Sequence, residues 1–62
     1  MNIEVVVNNY TLGAKVKTTP THKLVAQERL DSKHTKLMYS DVTQREIEFI
    51  EKVLSCKANI IE

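Results

Sequence analysis

Residues 1–18 read MNIEVVVNNYTLGAKVKT, with apolar residues alternating on either side of an Asn-Asn pair. Asparagine tolerates the positive φ of tight hairpin turns, so Asn8 and Asn9 predict a two-residue turn between two strands. In that register every pair on one face is apolar: Val7 with Tyr10, Val5 with Leu12, Ile3 with Ala14, and Met1 with Val16. The other face is mostly polar, as expected for a sheet that is covered on one side.

Residues 22–40 predict a second hairpin, although their pattern is more ambiguous. Residues 22–30 include good helix formers, but their apolar residues form no helical stripe, which favours a strand and leaves a helix as the alternative. Residues 31–34 are typical of a polar turn, and residues 35–39 have the composition of a returning strand. The register of this hairpin is not determined by the sequence.

The segment from residue 44 to about residue 57 predicts an α-helix. Thr43 followed by Glu46 matches a capping box, in which each side chain accepts a hydrogen bond from the backbone N–H of the other residue. Ile47, Ile50 and Leu54 then lie along one stripe of the helix and are expected to face the core. Asn59 is an acceptable stop signal, after which residues 60–62 either pack back or form a short extended segment.

These elements predict a single α+β domain over residues 1–62. We expect an antiparallel sheet of three to four strands, built from two consecutive hairpins and packed on one face by the C-terminal α-helix. A chain of 62 residues buries only about 60% of its unfolded surface, so its core is expected to be marginal.

The C-terminal helix has a second apolar row beside its core stripe, formed by Phe49, Val53 and Cys56. Such a row either folds under the same sheet or is left for another chain. We predict that it binds a protein partner, either a larger protein or a second copy of this chain. The predicted function is therefore a non-enzymatic interaction or regulatory module, acting as a homodimer or as an inhibitor or adaptor.

Nucleic-acid binding is the alternative function, because the middle of the chain is basic. Residues 14–36 carry a net charge of +4, against −2 for residues 37–62. A lysine-rich sheet face could contact phosphates, with one aromatic ring for base stacking. The residues proposed for that face are Lys15, Lys17, Lys23, Arg29, Lys33, Lys36 and Tyr39.

No catalytic or metal-binding motif is found in the sequence. Cys56 is the only cysteine, and the cysteine and the two histidines do not have the spacing of zinc ligands. A single glycine excludes a glycine-rich phosphate loop. We therefore expect no enzyme activity, no cofactor, no metal and no small-molecule substrate. The lone thiol and the lack of a long apolar run predict a cytoplasmic protein without a membrane segment.

Overall fold

The protein consists of one antiparallel sheet and two α-helices, and the computed structural model describes residues 1–61. The elements are β1 (Ile3–Asn8), α1 (Asn9–Lys15), β2 (Leu24–Arg29), β3 (His34–Tyr39), α2 (Gln44–Leu54) and β4 (Asn59–Ile60). Two short 3-10 turns, Val16–Thr18 and Thr21–Lys23, connect α1 to β2. The predicted α+β class with its C-terminal helix is confirmed. Glu62, which belongs to the predicted C-terminal tail, lies outside the described residues.

The strands lie in the order β2-β3-β1-β4, and all neighbouring strands are antiparallel. The element order is therefore β-α-β-β-α-β, the arrangement called ferredoxin-like, in which each helix connects two strands that are separated by a third. This topology places β1 and β3 in the centre of the sheet and leaves β2 and β4 as edges. Since such a topology supports many functions, it assigns none by itself.

The predicted first hairpin is wrong, because residues 9–15 form a helix and not a returning strand. Val5 lies opposite Leu37 in the sheet and not opposite Leu12. Asn8 is the N-cap of α1, and its side chain accepts a hydrogen bond from the Tyr10 backbone N–H at 2.8 Å. Asparagine is favoured at an N-cap as well as in a tight turn, so the Asn-Asn pair is compatible with both structures.

The second predicted hairpin is confirmed, with β2 forming a strand that pairs with β3. Asp31 closes the connecting turn, since its Oδ1 accepts hydrogen bonds from the backbone N–H groups of Lys33 at 2.7 Å and His34 at 2.8 Å. The pairing shifts by one residue between Leu24 and Ala26, which indicates a β-bulge. Apart from Leu24 every residue of β2 is exposed, so β2 is held mainly by its hydrogen bonds to β3.

Helix α2 begins where the sequence predicts and ends about one turn earlier. The capping box is present: Glu46 N–H donates to Thr43 Oγ1 at 3.2 Å, and Thr43 N–H donates to Glu46 Oε1 at 2.9 Å. Ser55 follows the last helical residue in the left-handed conformation, with φ 54°. That conformation terminates the helix before Lys57 and turns the chain toward β4.

The core lies between one face of the sheet and the helices. Its buried apolar side chains are Ile3, Val5, Val7, Val16, Leu37, Tyr39, Val42, Ile47, Ile50 and Leu54. The stripe predicted for α2 is thus buried. The opposite face of the sheet, which includes Glu4, Val6, Lys36 and Met38, is not covered by any element of residues 1–61; we call it the open face.

Candidate functional site

An open groove of about 480 Å³ runs between α2 and the segment that joins the two 3-10 turns. Phe49 is 46% exposed and forms part of its wall. The groove is lined by Thr18, Thr19, Pro20, Arg45, Glu46 and Phe49. We refer to it as the Phe49 groove.

The α2 wall of the groove is anchored through Lys23. The Lys23 ammonium donates to Glu46 Oε1 at 2.7 Å and to the Asp41 backbone carbonyl at 2.8 Å. Lys23 lies in the second 3-10 turn, so this ion pair ties α2 to the turn that follows the wall residue Pro20. The Lys23 ammonium and the Thr43 backbone N–H hold the pKa of the Glu46 carboxyl below its usual range. Glu46 is therefore ionised at neutral pH.

The opposite wall is anchored through Thr19, which is only 5% exposed. Its hydroxyl donates to the Val16 backbone carbonyl at 2.6 Å and lies 2.7 Å from the Tyr39 hydroxyl. Since the Thr19 proton is used in the first bond, the Tyr39 O–H is the donor in the second. Thr18 is fixed in a similar way, because its hydroxyl donates to the Lys15 carbonyl at 2.8 Å.

The structure separates the three residues of the second apolar row. Phe49 is exposed in the groove, whereas Val53 and Cys56 are partly buried and pack against the core. Burial, with a smaller contribution from Glu51, raises the pKa of the Cys56 thiol, which keeps it protonated at neutral pH. Phe49 is thus the member of the row with a large exposed apolar surface.

The cations proposed for a basic sheet face are distributed over several surfaces. Lys15 ends α1, Lys17 lies in the first 3-10 turn, Lys23 is paired with Glu46, and Lys33 lies in the β2–β3 turn. Arg29 lies in β2 opposite Thr35, on the side of the sheet that carries the core. Lys36 alone of these six residues lies on the open face.

Lys36 on the open face is bound by two carboxylates. Its ammonium lies 3.1 Å from Glu28 Oε1 and 3.7 Å from Glu4 Oε2. These carboxylates raise the pKa of the Lys36 ammonium, with Glu28 making the larger contribution. Asn59 extends the row across the sheet by donating to Glu4 Oε1 at 3.1 Å. With two acidic groups and one basic group, this part of the open face has no excess of positive charge.

The aromatic residues are also placed differently from the sequence prediction. Tyr39 is 1% exposed and belongs to the core, so the prediction that its ring is available for stacking is wrong. Tyr10, which the hairpin register buries, is 90% exposed on α1. The three aromatic residues of the chain, Tyr10, Tyr39 and Phe49, all lie away from the open face.

A cluster of metal ligands and a membrane-spanning helix are two further kinds of feature to consider among the described residues. Within residues 1–61, no three histidine, cysteine or acidic side chains converge as a metal site requires. His34 Nδ1 lies 3.2 Å from Asp31 Oδ1 as an exposed pair in the turn. No helix formed by these residues is long and apolar enough to cross a membrane.

Sequence reasoning identified Phe49 but missed the residues that face it across the groove. Thr18, Thr19 and Pro20 show in the sequence only as a break in the apolar pattern. The spacing of Leu12 and Val16, one helical turn apart, is a signal for α1 that could have directed attention to this segment. The groove itself depends on two segments that are more than twenty residues apart in the chain.

The fold and site thus define a small α+β domain with a solvent-exposed groove. The chain matches no protein-family model, and searches of curated proteins and of solved structures find no significant match.

Proposed function

We propose that this chain is a non-enzymatic protein-interaction module that binds an apolar side chain of another protein in the Phe49 groove. The observation that carries the proposal is the exposure of Phe49 beside Pro20, in walls that are held by the Lys23–Glu46 ion pair and by Thr19. Aromatic side chains in preformed grooves are common anchors of protein interfaces. By occupying a surface of its partner, such a module would act as an inhibitor or adaptor.

The chemistry of the groove supports binding better than catalysis. Glu46 is the only acidic residue in the lining that the structure describes, and its carboxylate already accepts hydrogen bonds from Lys23 and Thr43. The remaining wall residues are two threonines, a proline, an arginine and a phenylalanine. This set provides contact surface and hydrogen-bonding groups but no general base next to a nucleophile.

Nucleic-acid binding, the alternative, has less support. Lys36 is paired with Glu4 and Glu28, and Tyr39 is buried, so of the residues proposed for nucleic-acid binding none gives the described open face an unpaired cation or a stacking ring. Titration with single-stranded DNA at low salt tests this alternative. Strong binding that is lost in Lys36→Glu would favour it and contradict the groove proposal.

A matched pair of substitutions tests the protein-interaction proposal. Phe49→Glu places a charge in the groove, and Val6→Glu places one on the open face at a residue with nearly the same exposure, 45% against 46%. We purify those proteins from the native host that the wild type and Val6→Glu retain but Phe49→Glu does not. Each is then titrated directly by calorimetry. We expect at least one of these proteins to bind the wild type about tenfold more tightly than it binds Phe49→Glu.

Two results would overturn the proposal. In the first, no purified protein distinguishes the wild type from Phe49→Glu while both variants remain folded by circular dichroism. In the second, sedimentation shows a dimer of the wild type that dissociates in Phe49→Glu, which would make a second copy the occupant of the groove.

A further inference from the structure

The two charged residues of the Phe49 groove differ in whether they already have a partner. Glu46 is bound by the Lys23 ammonium at 2.7 Å and by the Thr43 backbone N–H at 2.9 Å. Arg45 is exposed and forms no ion pair within residues 1–61. The anion of the groove is thus neutralised within the fold, whereas the cation is available to a ligand.

Two lysines shortly precede the opposite wall of the groove in the sequence. Lys17 immediately precedes the wall residue Thr18, and Lys15 lies two residues before that. Both lysines are exposed and, like Arg45, make no ion pair with any residue in the described chain. Among the lining residues that the structure describes, Arg45 is therefore the charged group without an ion-pair partner, beside an apolar wall.

We propose that the Phe49 groove selects a segment of the partner protein in which an apolar side chain is flanked by aspartate or glutamate. This inference rests on the proposed function. The apolar side chain packs between Phe49 and Pro20, and a flanking carboxylate accepts hydrogen bonds from the Arg45 guanidinium. Arginine matches a carboxylate through two parallel N–H donors, which makes Arg45 the residue that determines specificity.

Charge also disfavours a second copy of this chain as the occupant. A twofold contact centred on the groove would place the Arg45 side chains of the two copies near each other. Like charges in an interface oppose association, and the groove lining formed by residues 1–61 contains no unpaired carboxylate to offset them. An acidic segment from a different protein supplies the complementary charge.

A random peptide library displayed on phage provides the test, because it assumes nothing about the partner. Selection is made on the wild-type chain, with removal of phage that also bind Phe49→Ala, a variant that removes the ring without adding a charge. We expect the enriched peptides to share an apolar residue with aspartate or glutamate nearby. Enrichment of peptides with neutral or basic flanks would overturn the charge inference and leave the proposed function standing. If no peptide depends on Phe49, the proposed function fails as well.

One enriched peptide is then compared with a version in which its acidic residues are replaced by asparagine or glutamine. We expect about tenfold weaker binding for the neutral peptide, and a similar loss when the original peptide meets Arg45→Gln. The two losses should not add when combined, since they remove the same contact. Arg29→Gln, the equivalent change at an exposed arginine of β2, is the control and should bind as the wild type does.

Peptide binding that is unchanged in Arg45→Gln would show that Arg45 does not contact the ligand. In that case a loss of affinity in Lys17→Gln would assign the contact to the other wall, which would overturn the role of Arg45 specifically. Equal affinity of the acidic and neutral peptides for the wild type would exclude charge selection altogether.

Discussion

Thr19 and Tyr39 are joined inside the protein by a hydrogen bond of 2.7 Å between their hydroxyl groups. Thr19 belongs to the wall of the Phe49 groove, and Tyr39 belongs to β3 near the centre of the sheet. The bond therefore ties the position of the groove wall to the core. Without it, the segment between the two 3-10 turns would be held mainly by its own local hydrogen bonds.

Tyr39→Phe removes this hydrogen bond and retains the buried ring. We expect the free energy of unfolding to fall by about 1 kcal/mol, because the Thr19 hydroxyl loses a donor but still donates to Val16. Urea denaturation followed by circular dichroism measures the change. Tyr10→Phe, at a residue that is 90% exposed, is the control and should change stability by less than about 0.5 kcal/mol. Equal effects of the two substitutions would contradict the role given to this bond.

Truncation of the neighbouring residues Ile50 and Phe49 to alanine is expected to lower the free energy of unfolding by different amounts. Ile50 is fully buried, so its truncation should lower the free energy of unfolding by about 2–5 kcal/mol, through lost burial and a remaining cavity. Phe49 is half exposed, and its truncation should cost about 1 kcal/mol or less. Denaturant titration of both variants checks the difference. A larger loss for Phe49→Ala would show that this side chain serves stability and not binding.

Thr43→Ala tests the start of α2. Loss of the N-cap oxygen leaves the Glu46 backbone N–H without its partner, and we expect a cost of about 1 kcal/mol. Amide hydrogen exchange should increase most at the first turn of α2. Thr21→Ala replaces an exposed threonine outside the cap and should leave those amides protected. Unchanged exchange in Thr43→Ala would mean that the capping box does not hold the helix end.

Glu46 is expected to make stability depend on pH in acid. Because Lys23 and the Thr43 N–H lower the pKa of Glu46 in the folded state, the unfolded chain binds a proton more readily. The resulting stabilisation is present above the ordinary glutamate pKa and is lost as pH falls through the lower pKa of the folded state. Thermal denaturation from neutral to acid pH should show a shallower decline for Glu46→Gln than for the wild type. A decline as steep in Glu46→Gln as in the wild type would contradict this role of Glu46.

The parts of the fold that sequence reasoning predicted correctly depend on contacts between residues close together in the chain. The capping box joins Thr43 to Glu46, and the β2–β3 turn is closed by Asp31 two and three residues before its donors. The apolar stripe of α2 likewise repeats within one helix. Such signals are complete within a short segment, so the sequence displays them directly.

The prediction of the first hairpin was wrong because residues 1–18 are compatible with two different structures. Ile3, Val5 and Val7 could pair with residues 10–16 as a strand, but in the fold they lie opposite Tyr39, Leu37 and Thr35 of β3, after a longer connection. Pairing with β3 places Val5 opposite Leu37 at the centre of the sheet. It also frees residues 9–15 to form α1, with Asn8 as its cap.

The candidate site was predictable only in part. The apolar row on α2 identified Phe49, since its position follows from helical periodicity. Tertiary packing places Val53 and Cys56 against the core. The path of the chain between α1 and β2 brings Thr18–Pro20 to the groove that Phe49 also lines. The pairing of Lys23 with Glu46, which leaves Arg45 as the available cation, links residues 23 positions apart.

The sequence by itself determined the α+β class, the helix that begins at Gln44 and the polar turn at Asp31, and it favoured a strand over a helix for residues 22–30. Each of these follows from local hydrogen bonding or from a periodic apolar pattern within one segment. Only the tertiary structure decided which strand lies beside β1, which charges are neutralised and where a groove opens. Those outcomes come from competition between distant segments for the same apolar and charged partners, and the stability of each pairing depends on the packing of the whole domain.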